Sequence, residues 1–190
     1  MSDDKNIDLS IPFIIPRFSL RGRLVRLKTL NTEILKQHFY PAPIAHVLAE
    51  LLAAGATLAS LLKYEGVFTL QTKTSGPLKL VVIDVTHEGN IRGYAQFSSS
   101  EVEKNSSFKD LIGKGYLAFT VDQGLKTDRY QGIVALDHET LPKALEHYFV
   151  QSEQLETKIY IASRKGEDDS WKSAALLVQQ IPAKNLELFH

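Results

Sequence analysis

Residues 44–62, IAHVLAELLAAGATLASLL, constrain this chain more than any other stretch. Only His46, Glu50, Thr57 and Ser60 interrupt the apolar run, so no polar face remains for water, as a surface helix requires. Leu and Ala, both strong helix formers, dominate it, and Gly55 is its weakest position. Pro43 fits the first helical turn, where a missing N–H costs nothing. At ~1.5 Å per residue the run spans about 28 Å. A helix apolar all round either crosses a membrane or lies at the centre of a fold. Glu50 argues for the second, because a carboxylate at mid-bilayer costs about 2.5–3.5 kcal/mol.

The chain beyond residue 63 is β-rich enough to cover such a helix. Residues 67–74 alternate with period two, SGP at 75–77 turns the chain, and 78–85 (LKLVVIDV) is an internal strand. EGN at 88–90 leads into 91–97, completing an antiparallel three-strand meander. A polar loop, 98–107, separates it from a second β block. That block holds a helical turn at 109–112, strands at 116–121, 130–136, 158–162 and 174–181, and a helix at 141–150. Leu141, Leu145, Tyr148 and Phe149 share one face of that helix, a core stripe at helical spacing. Upstream, 18–28 is a first strand carrying Arg21, Arg23 and Arg26, and Asn31 or Thr32 caps a short helix ending at His38. Residues 1–12 read as a loosely attached lead. The expected fold is α+β, a three-layer β/α/β sandwich in which two mainly antiparallel sheets, one per block, enclose the central helix.

The 190 residues are enough for one domain, and 22 basic against 22 acidic side chains leave no net charge to attract nucleic acid or an anionic membrane. No cysteine is present, so thiol catalysis, disulfides and thiolate metal sites are excluded within this sequence. The polar start, MSDDKNIDLS, has no signal-peptide pattern and points to the cytoplasm.

The sequence carries little recognisable catalytic chemistry. His38, His46, His87, His138, His147 and His190 show no i, i+4 pairing for a metal. His46 and Glu50 lie one turn apart and read as a satisfied hydrogen bond of the buried helix. Residues 113–118 (GKGYLA) match G-x-G-x-x-A, but a β-pattern comes after it where a phosphate site needs a helix. Asp84, Asp122 and Asp137 fall near strand ends with nothing to pair them. Phe18, Tyr64, Phe68, Tyr94, Phe97 and Tyr116 suit core or interface positions better than base stacking. Arg21, Arg23 and Arg26 read as the solvated face of a strand rather than an RNA site. No catalytic, cofactor-binding or metal-ligating residue is assigned. Binding is therefore expected rather than catalysis, the alternative being a small-ligand or enzymatic domain with a cleft between the β blocks.

Eight segments in order resemble the redox-regulated 33-kDa heat-shock protein family of bacterial holdase chaperones. They are RGRLVRL (21–27), HFYPAPIAHVLAELLAA (38–54), LKYEGVFTLQTKTSGPLKLVVIDV (62–85), IRGYAQF (91–97), LIGKGYLAFTVD (111–122), RYQGIVAL (129–136), LEHYFVQSEQLETKIYIA (145–162) and AALLVQQIPA (174–183). The resemblance implies a sandwich of sheets around a buried helix and a homodimer that exchanges elements between subunits. It also implies ATP-independent binding of unfolding proteins in the cytoplasm as a heat-shock and stress response. In that family a C-terminal zinc–cysteine domain controls activity by oxidation. With no cysteine here, neither the zinc nor the switch has its ligands. The expected division is a flexible lead at 1–17, a chaperone core at 18–183 and the start of a truncated linker at 184–190. No cofactor is expected in this chain, and its expected partners are unfolded clients, not nucleic acid or membrane.

Overall fold

The computed structural model describes residues 8–122 and 130–181. Nine strands and four α-helices are described: β1 (Leu9–Ile15), β2 (Leu20–Leu27), α1 (Thr29–Lys36), α2 (Ala42–Ala59), β3 (Val67–Thr74), β4 (Leu78–Thr86), β5 (Ile91–Phe97), α3 (Phe108–Ile112), β6 (Gly115–Asp122), β7 (Tyr130–Ala135), α4 (Leu141–Ser152), β8 (Thr157–Lys165) and β9 (Trp171–Gln180). They form two antiparallel sheets, one of order β1-β2-β9-β8 and one of order β5-β4-β3-β6-β7.

α2 lies between them. By length and composition it could cross a membrane, yet 78% of it is buried by the protein. Val25, Ile159, Ala175 and Leu177 from one sheet, and Leu70, Val81, Ile83 and Leu117 from the other, are all buried in the same core as Leu48, Leu51 and Leu52 of the helix. At about 1.5–3 kcal/mol for each large apolar side chain removed from water, this layer dominates the fold's stability. α1 packs against β9 and β5, and α4 against β8 and β7, so both flank α2 between the sheets. The three-layer α+β sandwich expected from the sequence is the observed one.

Its partition is not. The sheets do not correspond to the two β blocks: β6 and β7 extend the meander through β3, while β8 and β9 pair with the chain's own beginning through β2. The lead also differs from expectation. Residues 9–15 form an edge strand on β2, with Pro12 opposite Arg23. Pro is tolerated there because an edge strand has one unbonded side. The first seven residues of the lead expected at 1–17, and the linker start expected at 184–190, lie outside the described residues.

Helix boundaries shift for local reasons. α1 begins at Thr29, which places Asn31 and Thr32 inside it rather than at its cap. The cap comes from Asp8, whose carboxylate accepts from the Lys28 N–H (2.5 Å) and the Leu30 N–H (3.0 Å). Asn31 is fully buried and donates to Ser173 Oγ at 2.7 Å. α2 stops at Ala59 rather than Leu62. Leu61 and Leu62 bond back to Leu58 and Ala59 in a tightened last turn, and the free Ser60 carbonyl accepts both Nε (3.1 Å) and Nη2 (2.7 Å) of Arg23. Phe18 falls in a 3-10 turn rather than a strand.

Gly55, the weak point of α2, is needed where it stands. A Cβ there would lie 3.1 Å from Ile83 Cγ2, so glycine lets the helix settle closely on β4.

Candidate functional site

Strand alternation gives each residue of the four-stranded sheet to one of two faces. Val25, Leu27, Ile159, Ala175 and Leu177 point inward and are buried. The register then sets Ile11 beside Leu24, Leu24 beside Leu176, and Leu176 beside Tyr160. This one row of apolar side chains crosses all four strands on the outer face. Tyr160 is 65% exposed, Ile11 46% and Leu24 39%, and Leu176 is half-buried. The adjacent row runs Phe13, Gly22, Val178. Lys158 ends that adjacent row, Arg26, Arg164 and Lys172 cluster at the opposite end of the same face, and no acidic residue of the four strands alternates onto it. Contiguous apolar surface makes this face the candidate site.

The outer face of the five-stranded sheet is different in kind. Its central row, Tyr94, Val82, Gln71, Ala118 and Ile133, mixes polar and apolar groups. The next row contains Arg92 and Asp84, which pair at 2.7 Å, Asp84 also accepting from Thr69 Oγ1.

A concavity of about 790 Å³ opens between the sheets at the C-terminal end of α2. Its floor is apolar (Val25, Leu27, Leu62, Val85), and three of its polar rim groups are already engaged. Asp8 caps α1, the Tyr64 hydroxyl donates to the Val85 carbonyl, and His87 Nδ1 accepts from the Gly66 N–H. The converging polar constellation that the enzymatic alternative requires is not found there.

The remaining candidates are scattered. Arg21 donates to Gln179 Oε1 and Arg23 to Ser60, while Arg26 alternates onto the outer face, so the three arginines form no common patch. His46 Nδ1 lies 3.0 Å from Ser163 Oγ, and the His46 ring meets Trp171 edge-on at 4.8 Å. Glu50 takes no part in this. The expected satisfied hydrogen bond holds for His46 alone. Asp84, Asp122 and Asp137 sit on β4, at the end of β6 and after β7, and do not converge. Residues 113–118 run from the end of α3 into β6, the reverse of a phosphate-binding turn. Of the aromatics, Phe68 is core, Tyr64 and Phe97 pack against it, and Phe18, Tyr94 and Tyr116 are exposed.

Two features escaped sequence reasoning. The apolar row needs the register to be seen. The rings of His138 and His147 lie 5.0 Å apart, brought together by the turn into α4. Among the described residues no group of three or more His, Asp or Glu side chains suits a metal ion. A zinc–thiolate centre does not fit this chain, which has no cysteine to ligate it.

The fold is thus a two-sheet sandwich around a buried helix, with one row of apolar side chains turned to solvent on its four-stranded sheet. The model of the Hsp33 protein family matches residues 8–189, and the chain belongs to that family. It is 40% identical over 182 residues to the 33 kDa chaperonin of Pseudomonas syringae pv. syringae, covering 96% of this chain and 59% of that protein. It is 41% identical over 172 residues to the 33 kDa chaperonin of Proteus mirabilis, covering 90% and 57%. The crystal structure of the 33 kDa chaperonin (heat shock protein 33 homolog) from Thermotoga maritima superposes with a TM-score of 0.78 at 25% identity, covering 93% of this chain and 62% of that one. The chain thus spans less than two thirds of the length of these relatives.

Proposed function

We propose that this chain is the core of an ATP-independent holdase chaperone, which captures unfolding proteins on the outer face of its four-stranded sheet and prevents their aggregation. The observation that carries the reading is the apolar row Ile11–Leu24–Leu176–Tyr160. Non-native chains are recognised by the apolar side chains they expose, and an extended sheet face receives them without demanding a sequence. Membership of a family whose relatives are named chaperonins supports the same reading. Binding needs no cofactor here. The redox control implied by the family resemblance would act through cysteines that these 190 residues do not contain. On this reading the chain works in the cytoplasm as a homodimer, with exchange of elements between subunits as one form of that dimer.

The test is light scattering of a heat-denaturing client enzyme under reducing conditions without ATP. Stoichiometric wild-type chain is expected to suppress the scattering. L24D and Y160D, at exposed positions where folding tolerates charge, are expected to lose most of that suppression while retaining native circular dichroism. Full suppression by both variants removes the assigned face. No suppression by the wild type, folded and dimeric, removes the holdase reading. Sedimentation at micromolar concentration tests the dimer directly, and a monomer mass contradicts it.

A further inference from the structure

α2 carries two ionisable side chains, His46 and Glu50, one turn apart on one face. That face is not sealed by either sheet. It opens into a cleft of about 650 Å³ between α2, the loop carrying Lys104, Asn105 and Ser106, and the start of α4 at Thr140 and Leu141. The cleft belongs neither to the apolar sheet face nor to the larger concavity at the other end of the helix.

Its chemistry is asymmetric. Pro43, Val47, Phe108 and Leu141 make apolar walls, and Asn105 and Ser106 supply hydrogen-bonding groups. The loop is held in place by its own bonds: Glu103 N–H donates to Ser106 Oγ at 3.0 Å, and Ser107 and Asp110 form a capping box at the start of α3. The titratable or charged groups lining the cleft are Glu50, His46 and Lys104; the α4 side contributes none. His46 is anchored by Ser163, and burial pushes its pKa down, so it presents no positive charge at neutral pH. Lys104 is exposed at the mouth, and no ion pair joins it to Glu50. Among the described residues, Glu50 makes no hydrogen bond or ion pair. A half-buried carboxylate without a partner is an uncompensated cost of the fold.

We propose that this cleft binds an alkylammonium or guanidinium group, with the Glu50 carboxylate as its counter-ion. The cation restores the interaction that burial denies the carboxylate, and its aliphatic stem lies along Val47, Phe108 and Leu141. Asn105 and Ser106 accept the remaining N–H groups. An anionic ligand seated at Glu50 would be repelled by its carboxylate, with Lys104 only at the mouth of the cleft. Two sources present the same chemistry: a lysine or arginine side chain of a bound polypeptide, or a free aliphatic amine. The inference does not depend on the chaperone reading, because it uses a different part of the molecule.

The test is an NMR titration of the full chain at pH 8 with n-butylammonium, following the Glu50 carboxyl carbon, the His46 ring and the Asn105 side-chain amide. Saturable millimolar binding confined to these signals is expected, with n-butanol, the neutral counterpart, producing none. E50Q preserves the shape of the side chain and is expected to weaken binding about tenfold or more. K104A is expected to bind as well as wild type or better. Absence of saturable shifts, or equal binding by E50Q, overturns the proposal. A lysine-containing heptapeptide that binds at least about tenfold tighter than butylammonium, and whose norleucine analogue does not bind, assigns the polypeptide source. Tighter binding of spermidine, with the peptide no better than butylammonium, assigns the free amine.

Discussion

The ring of Phe13 occupies the space that a side chain at position 22 would need. A Cβ on Gly22 would lie 2.1 Å from Phe13 Cζ and 2.6 Å from the Leu177 carbonyl oxygen. The two residues are cross-strand partners, so this contact fastens the edge strand β1 to the rest of the sheet.

G22A is therefore expected to dislodge Phe13 and loosen β1. The overpacking cost is about 1–3 kcal/mol. Amide hydrogen exchange across residues 9–15 should accelerate more than across β9, and the thermal midpoint should fall. Unchanged protection of β1 would show that the ring is not its fastening.

Asp8 tethers β1 a second way, by accepting from the Lys28 and Leu30 N–H groups at the N-terminus of α1. D8A removes the only side-chain cap described for that helix. Loss of about 0.5–2 kcal/mol in a urea denaturation is expected, with the slope unchanged. A double variant with G22A should be less destabilised than the sum of the two single variants, because both act on the same strand.

Glu50 makes stability fall as pH rises. Burial raises its pKa from the ordinary 4.5 to about 7, so the folded chain holds a proton that the unfolded chain has already released. The penalty therefore begins above the unfolded value and is complete once pH passes about 7. E50Q is expected to remove that slope and to be more stable than wild type at pH 8. Parallel stability–pH curves for the two proteins between pH 5 and 8 would contradict it.

Glu146 acts in the opposite direction. Burial alone would raise its pKa, but the Ile159 N–H, Lys158 and Lys143 together hold it below the ordinary carboxylate value. Its contribution to stability is present above 4.5, the unfolded value, and is lost as pH falls through the lower folded value. E146Q should flatten the acid limb of the denaturation curve and weaken the docking of α4 on β8. An acid limb as steep as that of the wild type would exclude the role.

Much of this fold is legible in the residues. The run of Leu and Ala in α2 admits one burial solution, and the alternation in β3, β4 and β5 fixes both their type and their order. The stripe of Leu141, Leu145, Tyr148 and Phe149 locates the buried face of α4. The partition of strands between sheets is not legible, because alternation says which face a residue takes and nothing about which strand lies beside it. β1 was hidden by Pro12, a residue that demotes a strand except at an edge. The cap of α1 was hidden because its carboxylate comes from another element. The candidate binding face was hidden most deeply: Leu24, Leu176 and Tyr160 look like ordinary strand residues until register aligns them, and a slip of one residue would turn them inward.

The pairing of β2 with β9 has a consequence for synthesis. Leu20–Leu27 meets its partner, residues 173–180, only after about 150 further residues have been added. At ~5–20 residues per second, β2 waits roughly 8–30 s with one edge unpaired. For that interval the nascent chain is itself a molecule with an unfinished apolar sheet, exposed to the same hazard of aggregation as any other emerging polypeptide. Ribosome-bound chains arrested before Trp171 should show rapid hydrogen exchange in β2 while the β3–β5 meander is already protected.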